Sequence, residues 1–464
     1  MLSFTKTLMS TLLFGICSGA LSAQTNIAEQ AEGGGEYPIR RNDTQHPCIS
    51  PQQYADIEMR IAGNIKTLRS PGEKMKTTTT AFSWPLQAAP GLADCGYYCI
   101  FNYVDEDATS PGIRDYNCGS VTYDGHRGTD IATQPYPFLK MDNNQVNVIA
   151  AAPGTIIQKS DGFFDRNCAM NSDTANYIII QHADGSVALY WHMKKASLTS
   201  KTVGMSVTTG EFLGVVGSSG SSTAPHLHFE VWSGTTSSTL RDPWTGTCNL
   251  LNPTSWWAAQ KPYTEPAIIK AQVNMAAAIL PGCDTTETPN EDSCFVGGAT
   301  AKFYIFIRNE TPGDTVHESI INPGGSTFTS WVHNSTTSYL ASYWWFNKVL
   351  PTTPGIYTFR ATYNGITCDK TFKINCGALG VEAEPGRSSL VLYPDPAQNE
   401  LTVAWDNKIT KVVICDLSGR IVCSQSYDAE QVVVNVSSLP KGVYILQVPD
   451  ATTGLRVSRM FVKE

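Results

Sequence analysis

Two histidines stand one residue apart in the segment SSTAPHLHFEV, residues 221–231. The alternation of apolar and polar residues predicts a β-strand, in which every second side chain points to the same face. His226, His228 and Glu230 would then share one face, while Leu227 and its alternate neighbours enter the core. Two imidazoles displayed together can bind a metal ion or transfer protons. An ordinary strand that carries two histidines is the alternative, and this segment alone does not exclude it.

A histidine and an aspartate, His126 and Asp130, stand four residues apart in YDGHRGTDIA. The even spacing places both side chains on one face of an extended segment, and Gly128 between them leaves room. Two imidazole nitrogens and one carboxylate oxygen form a suitable ligand set for Zn²⁺, with a fourth position left for water. On its own this pair is a weak signal, because a surface histidine and aspartate at this spacing are common.

Two further histidines lie in YIIIQHADGSVALYWHM, which has the pattern of a β-hairpin. A two-residue Asp-Gly turn at 184–185 pairs His182 with Val187 and Tyr177 with His192. This register places the two histidines on different faces. We therefore predict that His182 is a structural residue at the rim of the sheet and that His192 takes part in chemistry.

The N-terminus has the pattern of a cleaved secretory signal, which we assign to residues 1–23. Lys6 is followed by an apolar stretch and then by small residues, with Ala20 or Ala23 as the cleavage point. Export leads to an oxidising compartment, where cysteines usually pair. The thirteen cysteines less Cys17 leave an even set, so we expect disulfides among the others. These are Cys48, Cys95, Cys99, Cys118, Cys168, Cys248, Cys283, Cys294, Cys368, Cys376, Cys415 and Cys423.

The length and composition indicate several folded, mainly β domains. A chain of 464 residues exceeds one ordinary core, and its 42% hydrophobic content is typical of folded protein. Its 37 glycines and 26 prolines favour short strands joined by turns. A formal net charge of -8 provides no basic surface, which argues against a nucleic-acid partner. No segment after the signal is apolar enough to cross a bilayer.

Changes in composition divide the chain into successive parts. Residues 24–80 form a leader or possible propeptide with a short helix near Pro51–Leu68, and residues 81–258 form a β-rich domain with loops tied by disulfides. Residues 263–378 have the strand and turn pattern of an immunoglobulin-like β-sandwich, stapled among Cys283, Cys294, Cys368 and Cys376. A linker at 379–389 and a small C-terminal β-sandwich at 390–464 follow.

Two histidines of the sandwich segment, His317 and His333, lie far in sequence from any acidic or histidine partner. We predict that both are surface or loop residues without a role in the chemistry.

Residues 82–255 resemble the lysostaphin-type zinc metallopeptidases, in which His-x-x-x-Asp, a hairpin histidine and His-x-His occur in this order. The resemblance implies an antiparallel β fold whose groove holds one Zn²⁺ ion. It also implies that His126, Asp130 and His228 bind the metal, and that His192 and His226 are catalytic. Ala224 stands where the family usually has glycine, and two loops are longer than the family's minimal form.

The last 75 or so residues resemble the C-terminal sorting domains of the type IX secretion system of Bacteroidota. The segments LYPDPAQNELTV, VVICDLSGRIV and LPKGVYILQV carry the likeness, with Asp395 in place of the usual asparagine. The resemblance implies that the type IX machinery exports the protein through the periplasm of a Gram-negative cell. The protein would then be secreted or bound to the cell surface. A plain adhesive β module is the alternative.

Together with these patterns, the two resemblances imply a secreted zinc metalloendopeptidase, with the peptide cross-links of peptidoglycan as the leading substrate. Two alternatives stay open. One is a broader extracellular protease for glycine-rich proteins. The other is a non-catalytic wall-binding protein that activates another hydrolase.

Overall fold

The computed structural model describes residues 29–38, 47–68, 75–280, 287–375, 390–416, 420–449 and 456–464. The predicted signal peptide and linker lie outside these residues. The chain forms two compact units, Met1–Cys376 and Gly377–Glu464. Within the described ranges, none of the helices has the length and apolar character needed to cross a membrane.

Two elements lie in the predicted leader: strand β1 (Gly33–Glu36) and helix α1 (Pro51–Leu68). The helix begins where its sequence provides a capping box. The backbone N–H of Gln53 donates to Ser50 Oγ at 3.3 Å, and the backbone N–H of Ser50 donates to the side-chain oxygen Oε1 of Gln53 at 2.8 Å. Pro51 occupies the first helical position, where its missing N–H costs nothing. The start of α1 is therefore fixed three residues after Cys48.

The part of the first unit that carries the candidate site is built almost entirely of short strands. In chain order these elements are β2 (Leu86–Ala88), β3 (Tyr98–Asn102), β4 (Thr129–Thr133), α2 (Pro137–Asp142), β5 (Val146–Ile149), β6 (Gly154–Ser160), β7 (Tyr177–Gln181), β8 (Val187–Trp191), β9 (Ser206–Val207), β10 (Phe212–Val215), β11 (His226–Trp232) and β12 (Leu240–Arg241).

These strands form two sheets that enclose one core. The larger has the order β3-β4-β11-β8-β7-β6-β9, with β12 paired to β11, and the smaller has the order β10-β5-β2. Leu227, Phe229 and Val231 of β11 are fully buried between the sheets, as the alternation of β11 predicts. The opposite face of the larger sheet is covered by α1, whose Ile57 and Ile61 pack there.

The β7–β8 hairpin has a register one residue away from the predicted one. Val187 pairs with Gln181, whereas the predicted partner of Val187 was His182. The difference arises because the loop contains three residues, 183–185, instead of two. Gly185 adopts a φ of 89°, the left-handed conformation that closes a three-residue loop. His182 is also not a rim residue: it is buried and packs edge-on against Phe82.

The sandwich predicted in the middle of the chain is present. Its elements are β13 (Ala267–Asn274), β14 (Cys294–Phe295), β15 (Thr300–Glu310), β16 (Thr315–Ile321), β17 (Thr327–Asn334), β18 (Tyr339–Val349), β19 (Gly355–Tyr363) and β20 (Ile366–Ile374). One sheet has the order β1-β18-β15-β13 and the other β14-β20-β19-β16-β17. Aromatic side chains such as Phe303, Trp331 and Phe359 fill the core between them.

Two predictions about this region need correction. His317 is exposed, as predicted, but His333 is buried, and its Nε2 lies 2.9 Å from Glu310 Oε1. Cys368 does not pair within the sandwich, because it forms a disulfide with Cys95 of the preceding region.

The cysteines are only partly paired. Cys118 and Cys248 form a disulfide between two loops, as predicted for this region. The expectation that all the cysteines pair is wrong for four of the cysteines that the structure describes, which form no disulfide: Cys48, Cys99, Cys415 and Cys423. The Cys99 thiol instead donates a hydrogen bond to the Leu340 carbonyl at 3.0 Å.

The second unit is a β domain formed by β21 (Val391–Tyr393), β22 (Glu400–Asp416), β23 (Ile421–Asn435), β24 (Gly442–Pro449) and β25 (Arg456–Lys463). The sheet order is β21-β22-β24-β25, with β23 paired to β22. The register of β22 shifts between Ala404 and Ile409, and residues on both sides of the shift enter one core. Leu401, before the shift, and Ile414, after it, both lie in that core.

Removal of the Cys95–Cys368 disulfide should destabilise the first unit. The bond joins residues 273 positions apart, so the Cys95→Ser/Cys368→Ser variant should lose about 3–5 kcal/mol of unfolding free energy. Calorimetry would measure the loss. A Cys423→Ser variant, which changes a free thiol of the second unit, should leave that transition unchanged. A non-reducing peptide map without the Cys95–Cys368 linkage would contradict the assignment.

Candidate metal centre

The pairing of β4 with β11 brings the two motifs together. These strands are antiparallel, and His228 lies directly opposite Asp130, so both side chains project from the same face. His126 lies four residues before Asp130 and reaches the same point from the turn before β4. Gly128 permits this approach, because a Cβ there would lie 2.7 Å from the His228 ring.

Three donor atoms converge at this point. His126 Nε2 lies 3.2 Å from His228 Nδ1 and 3.2 Å from Asp130 Oδ2. His228 Nδ1 lies 2.9 Å from Asp130 Oδ1. Ligands about 2.0–2.1 Å from a tetrahedral metal ion are about 3.4 Å apart, so the spacing is close to that of a metal site. All three side chains are buried.

Hydrogen bonds on the far side of each imidazole leave the facing nitrogen free to bind a cation. His126 Nδ1 lies 2.7 Å from the Tyr103 carbonyl oxygen, which can only accept, so this nitrogen carries the proton. The Glu230 carboxylate lies 3.4 Å from His228 Nε2 and holds the proton there in the same way. His126 Nε2 and His228 Nδ1 then point their lone pairs at each other and at a carboxylate. A cation between them removes this repulsion, so the residues fit a metal ion.

Asp130 is an anion in this site. Burial alone would raise the pKa of its carboxyl, but its electrostatic and hydrogen-bonding interactions with the surrounding histidines outweigh burial and hold the pKa well below its ordinary value. The Asn102 amide also donates a hydrogen bond to Asp130 Oδ2 at 2.9 Å. A fully buried carboxylate with these partners is a strong ligand for a divalent cation.

Glu230 is a functional residue to which the sequence analysis gave no role. It is fully buried and accepts hydrogen bonds from Trp232 Nε1 at 2.6 Å and from Tyr54 Oη at 2.7 Å. Burial would raise its pKa, but His228 and Arg127 lower it below the ordinary value. The sequence did contain a signal for this residue, because Glu230 lies on the same face of β11 as His226 and His228. Glu230 orients His228 and makes its imidazole a more basic ligand.

His192 and His226 lie beside the three donor atoms, with ring centroids 4.5 Å apart. His192 Nδ1 lies 2.6 Å from the Ser219 carbonyl oxygen, and His226 Nδ1 lies 2.7 Å from that of Ala224. Both carbonyls fix the proton on Nδ1 and leave Nε2 as an acceptor. The contact of Ala224 uses its backbone, so alanine in place of glycine does not remove it.

Both of these imidazoles are neutral near pH 7. Burial lowers the pKa of His192, and the neighbouring His226 and His228 lower it further. Burial also lowers the pKa of His226 and outweighs the attraction of Asp130. The structure thus brings together all five residues predicted from the sequence, and it separates His182 from them.

Cys48 also lies at this site, although it was predicted to form a disulfide. Its Sγ is 2.9 Å from His192 Nε2, and it interacts with the His228 side chain. No local pattern in the sequence indicates this placement, because Cys48 and His192 are 144 residues apart.

Parts of the chain match known protein families. Residues 124–240 match the profile of Peptidase family M23, and residues 391–463 match that of the Secretion system C-terminal sorting domain. The chain therefore carries a domain of a metallopeptidase family, with a His/Asp metal site, and a C-terminal sorting domain that directs secretion or display at the cell surface. Both resemblances expected from the sequence are confirmed.

One similar curated protein is an uncharacterized metalloprotease of Buchnera aphidicola subsp. Baizongia pistaciae (strain Bp), 35% identical over 98 residues. The match covers 21% of this chain, and the chain spans only a quarter (25%) of the length of that relative.

Among solved structures, a mutant catalytic domain of the prophage-encoded M23 protein EnpA from Enterococcus faecalis is 23% identical. That match covers 32% of this chain and 88% of that one, with a TM-score of 0.18. The fibronectin(III)-like modules of Clostridium thermocellum CbhA are 14% identical, over 37% of this chain and 90% of theirs, with a TM-score of 0.16.

Replacement of Glu230 by glutamine should weaken metal binding while the fold is kept. The amide keeps an acceptor for the Trp232 indole but removes the charge that makes His228 a basic ligand, so we expect a loss of about 10–100-fold in affinity. Competition for Zn²⁺ against a fluorescent chelator would measure it. In the matched control Glu211→Gln, which alters a partly exposed ion pair with Lys201, affinity should not change. Equal affinities in the two variants would show that Glu230 does not support the site.

Proposed function

We propose that this protein is an exported zinc metalloendopeptidase that hydrolyses the peptide cross-links of peptidoglycan. The observation that carries the proposal is the convergence of His126, Asp130 and His228 on one point, beside two neutral imidazoles. The M23 domain supports peptide hydrolysis as the reaction.

The donor set supports zinc as the metal. Two imidazole nitrogens and one carboxylate oxygen, with one position left open, are the arrangement of a catalytic rather than a structural zinc site. When bound, zinc supplies Lewis acidity toward a carbonyl oxygen and lowers the pKa of a water molecule toward neutrality. Asp130 contributes the one negative charge among the three donors, so the bound cation keeps a net positive charge.

His192 and His226 are positioned to move protons. Each has Nδ1 bound to a carbonyl and Nε2 facing the site, so each Nε2 can accept a proton from the attacking water. Once protonated, the same nitrogen can donate to the departing amine or stabilise the negative charge that develops on the carbonyl oxygen. Their lowered pKa values keep both imidazoles available as bases at neutral pH.

The two domains taken together support the proposed substrate and location. The lysostaphin-type enzymes, which residues 82–255 resemble, act on peptidoglycan peptides. The sorting domain supports export by the type IX machinery of a Gram-negative, Bacteroidota-like cell. An enzyme delivered outside such a cell meets the walls of other bacteria and also extracellular protein. A protease for glycine-rich proteins is therefore the alternative.

Two substitutions separate metal binding from proton transfer. His228→Ala should lose zinc and activity together, because it removes a ligand. His192→Ala should keep zinc and lose about 10²–10⁴-fold in kcat, because it removes a proton-transfer group. Elemental analysis of the purified variants, combined with hydrolysis rates, measures both effects. Unchanged hydrolysis in both variants would refute the assigned roles.

The bond that is cleaved can be identified from the products. Mass spectrometry of fragments released from purified peptidoglycan should show new amino termini within the cross-link peptides and intact glycan linkages. Parallel digestion of elastin tests the alternative. Cleavage of elastin with no release from peptidoglycan would contradict the proposed substrate and favour the broader protease.

A further inference from the structure

The Cys48 thiol lies at the candidate site, beside His192 and His228, and forms no disulfide. The cysteine is 6% exposed, and its Sγ lies 2.9 Å from Nε2 of His192, the nitrogen assigned above to proton transfer. It also interacts with the side chain of His228, one of the three donors. The sulfur therefore contacts one imidazole assigned to proton transfer and one assigned to metal binding.

The segment that carries Cys48 is held against the site by specific contacts. We call residues 47–68 the covering segment. Ile57 and Ile61 of its helix pack on the sheet face that bears the histidines, with the Trp191 and Trp232 rings. The Asn64 amide donates to the Ile157 carbonyl at 2.8 Å.

Polar contacts at the other end of α1 reach the site itself. The Tyr54 hydroxyl donates to Glu230, the residue that orients His228. Glu58 Oε1 accepts a hydrogen bond from the Ser237 amide at 2.8 Å. Because the Ser50 capping box fixes where the helix begins, these contacts also fix the position of Cys48. The placement of the thiol is thus determined by the fold of the segment.

The chemistry of the three-donor cluster explains why a cysteine would stand there. His126, Asp130 and His228 provide three of the four positions of a tetrahedral zinc site. Cysteine sulfur is a preferred zinc ligand, at about 2.3 Å, and it releases its proton to solvent when it binds. A thiolate in the fourth position excludes water from it.

We propose that Cys48 is a fourth, inhibitory ligand of the zinc ion and that the covering segment keeps the full chain latent. This inference rests on the proposed function, since it requires a zinc peptidase. It identifies part of the predicted leader as an inhibitory propeptide. Cleavage of the chain after α1, with release of the covering segment, would free the fourth position for water and substrate.

Cobalt substitution tests the ligand directly. The full chain loaded with Co²⁺ should show the near-ultraviolet charge-transfer absorption of a thiolate bound to cobalt, a readout that needs no activity. The absorption should disappear in Cys48→Ser. It should persist in the matched control Cys99→Ser, which removes a buried thiol that forms no disulfide and donates a hydrogen bond to the Leu340 carbonyl instead of contacting the site.

Activity provides the second readout. The hydrolysis rate of the full chain scales with the fraction of molecules in which the covering segment is open. If the segment is closed in about 90–99% of molecules, the hydrolysis rate of Cys48→Ser should be about 10–100-fold higher than that of the wild type. Cys99→Ser should retain the low rate of the full chain. The wild-type cobalt spectrum decides the question even if the Cys48 variant folds poorly.

The outcomes distinguish this inference from the proposed function. Cobalt binding without thiolate absorption in the wild type, with hydrolysis by the full chain equal to that of Cys48→Ser, would overturn the inhibitory ligand and leave the peptidase intact. Failure of wild type and both variants to bind Co²⁺ or Zn²⁺ would overturn both proposals.

Discussion

The pairing of Asp130 with His228 across strands β4 and β11 is the constraint on which the rest of the site depends. Antiparallel pairing places two donors side by side, and the buried alternate residues of β11 prevent the strand from turning over. A slip of β11 by one residue would turn His228 into the core and away from Asp130. The hydrophobic core therefore fixes the geometry of the metal centre.

The larger sheet uses its two faces for different purposes. One face packs on the smaller sheet, and the other displays the imidazoles and is covered by α1. On this second face, Glu230 links the imidazoles to the helix, because it contacts both His228 and Tyr54 of α1. Movement of the covering segment would remove a hydrogen bond from the residue that orients a metal ligand. The metal centre and the covering segment are therefore connected through one carboxylate.

The site residues could be predicted from sequence because they obey local rules. Strand alternation placed His226 and His228 on one face, and an even spacing joined His126 to Asp130. The hairpin register was missed because an Asp-Gly pair fits a two-residue loop and also, with Gly185 in the left-handed conformation, a three-residue loop. Cys48 and the Cys95–Cys368 bond were missed for another reason. Both depend on contacts between residues far apart in the chain, for which a single sequence carries no periodic signal.

Anomalous X-ray scattering at the zinc edge, from crystals of the zinc-loaded full chain, tests the central claim most directly. The account predicts one strong peak about 2.0–2.1 Å from His126 Nε2, Asp130 Oδ and His228 Nδ1. Absence of a peak among these three atoms, or a zinc ion bound only elsewhere in the chain, would contradict it.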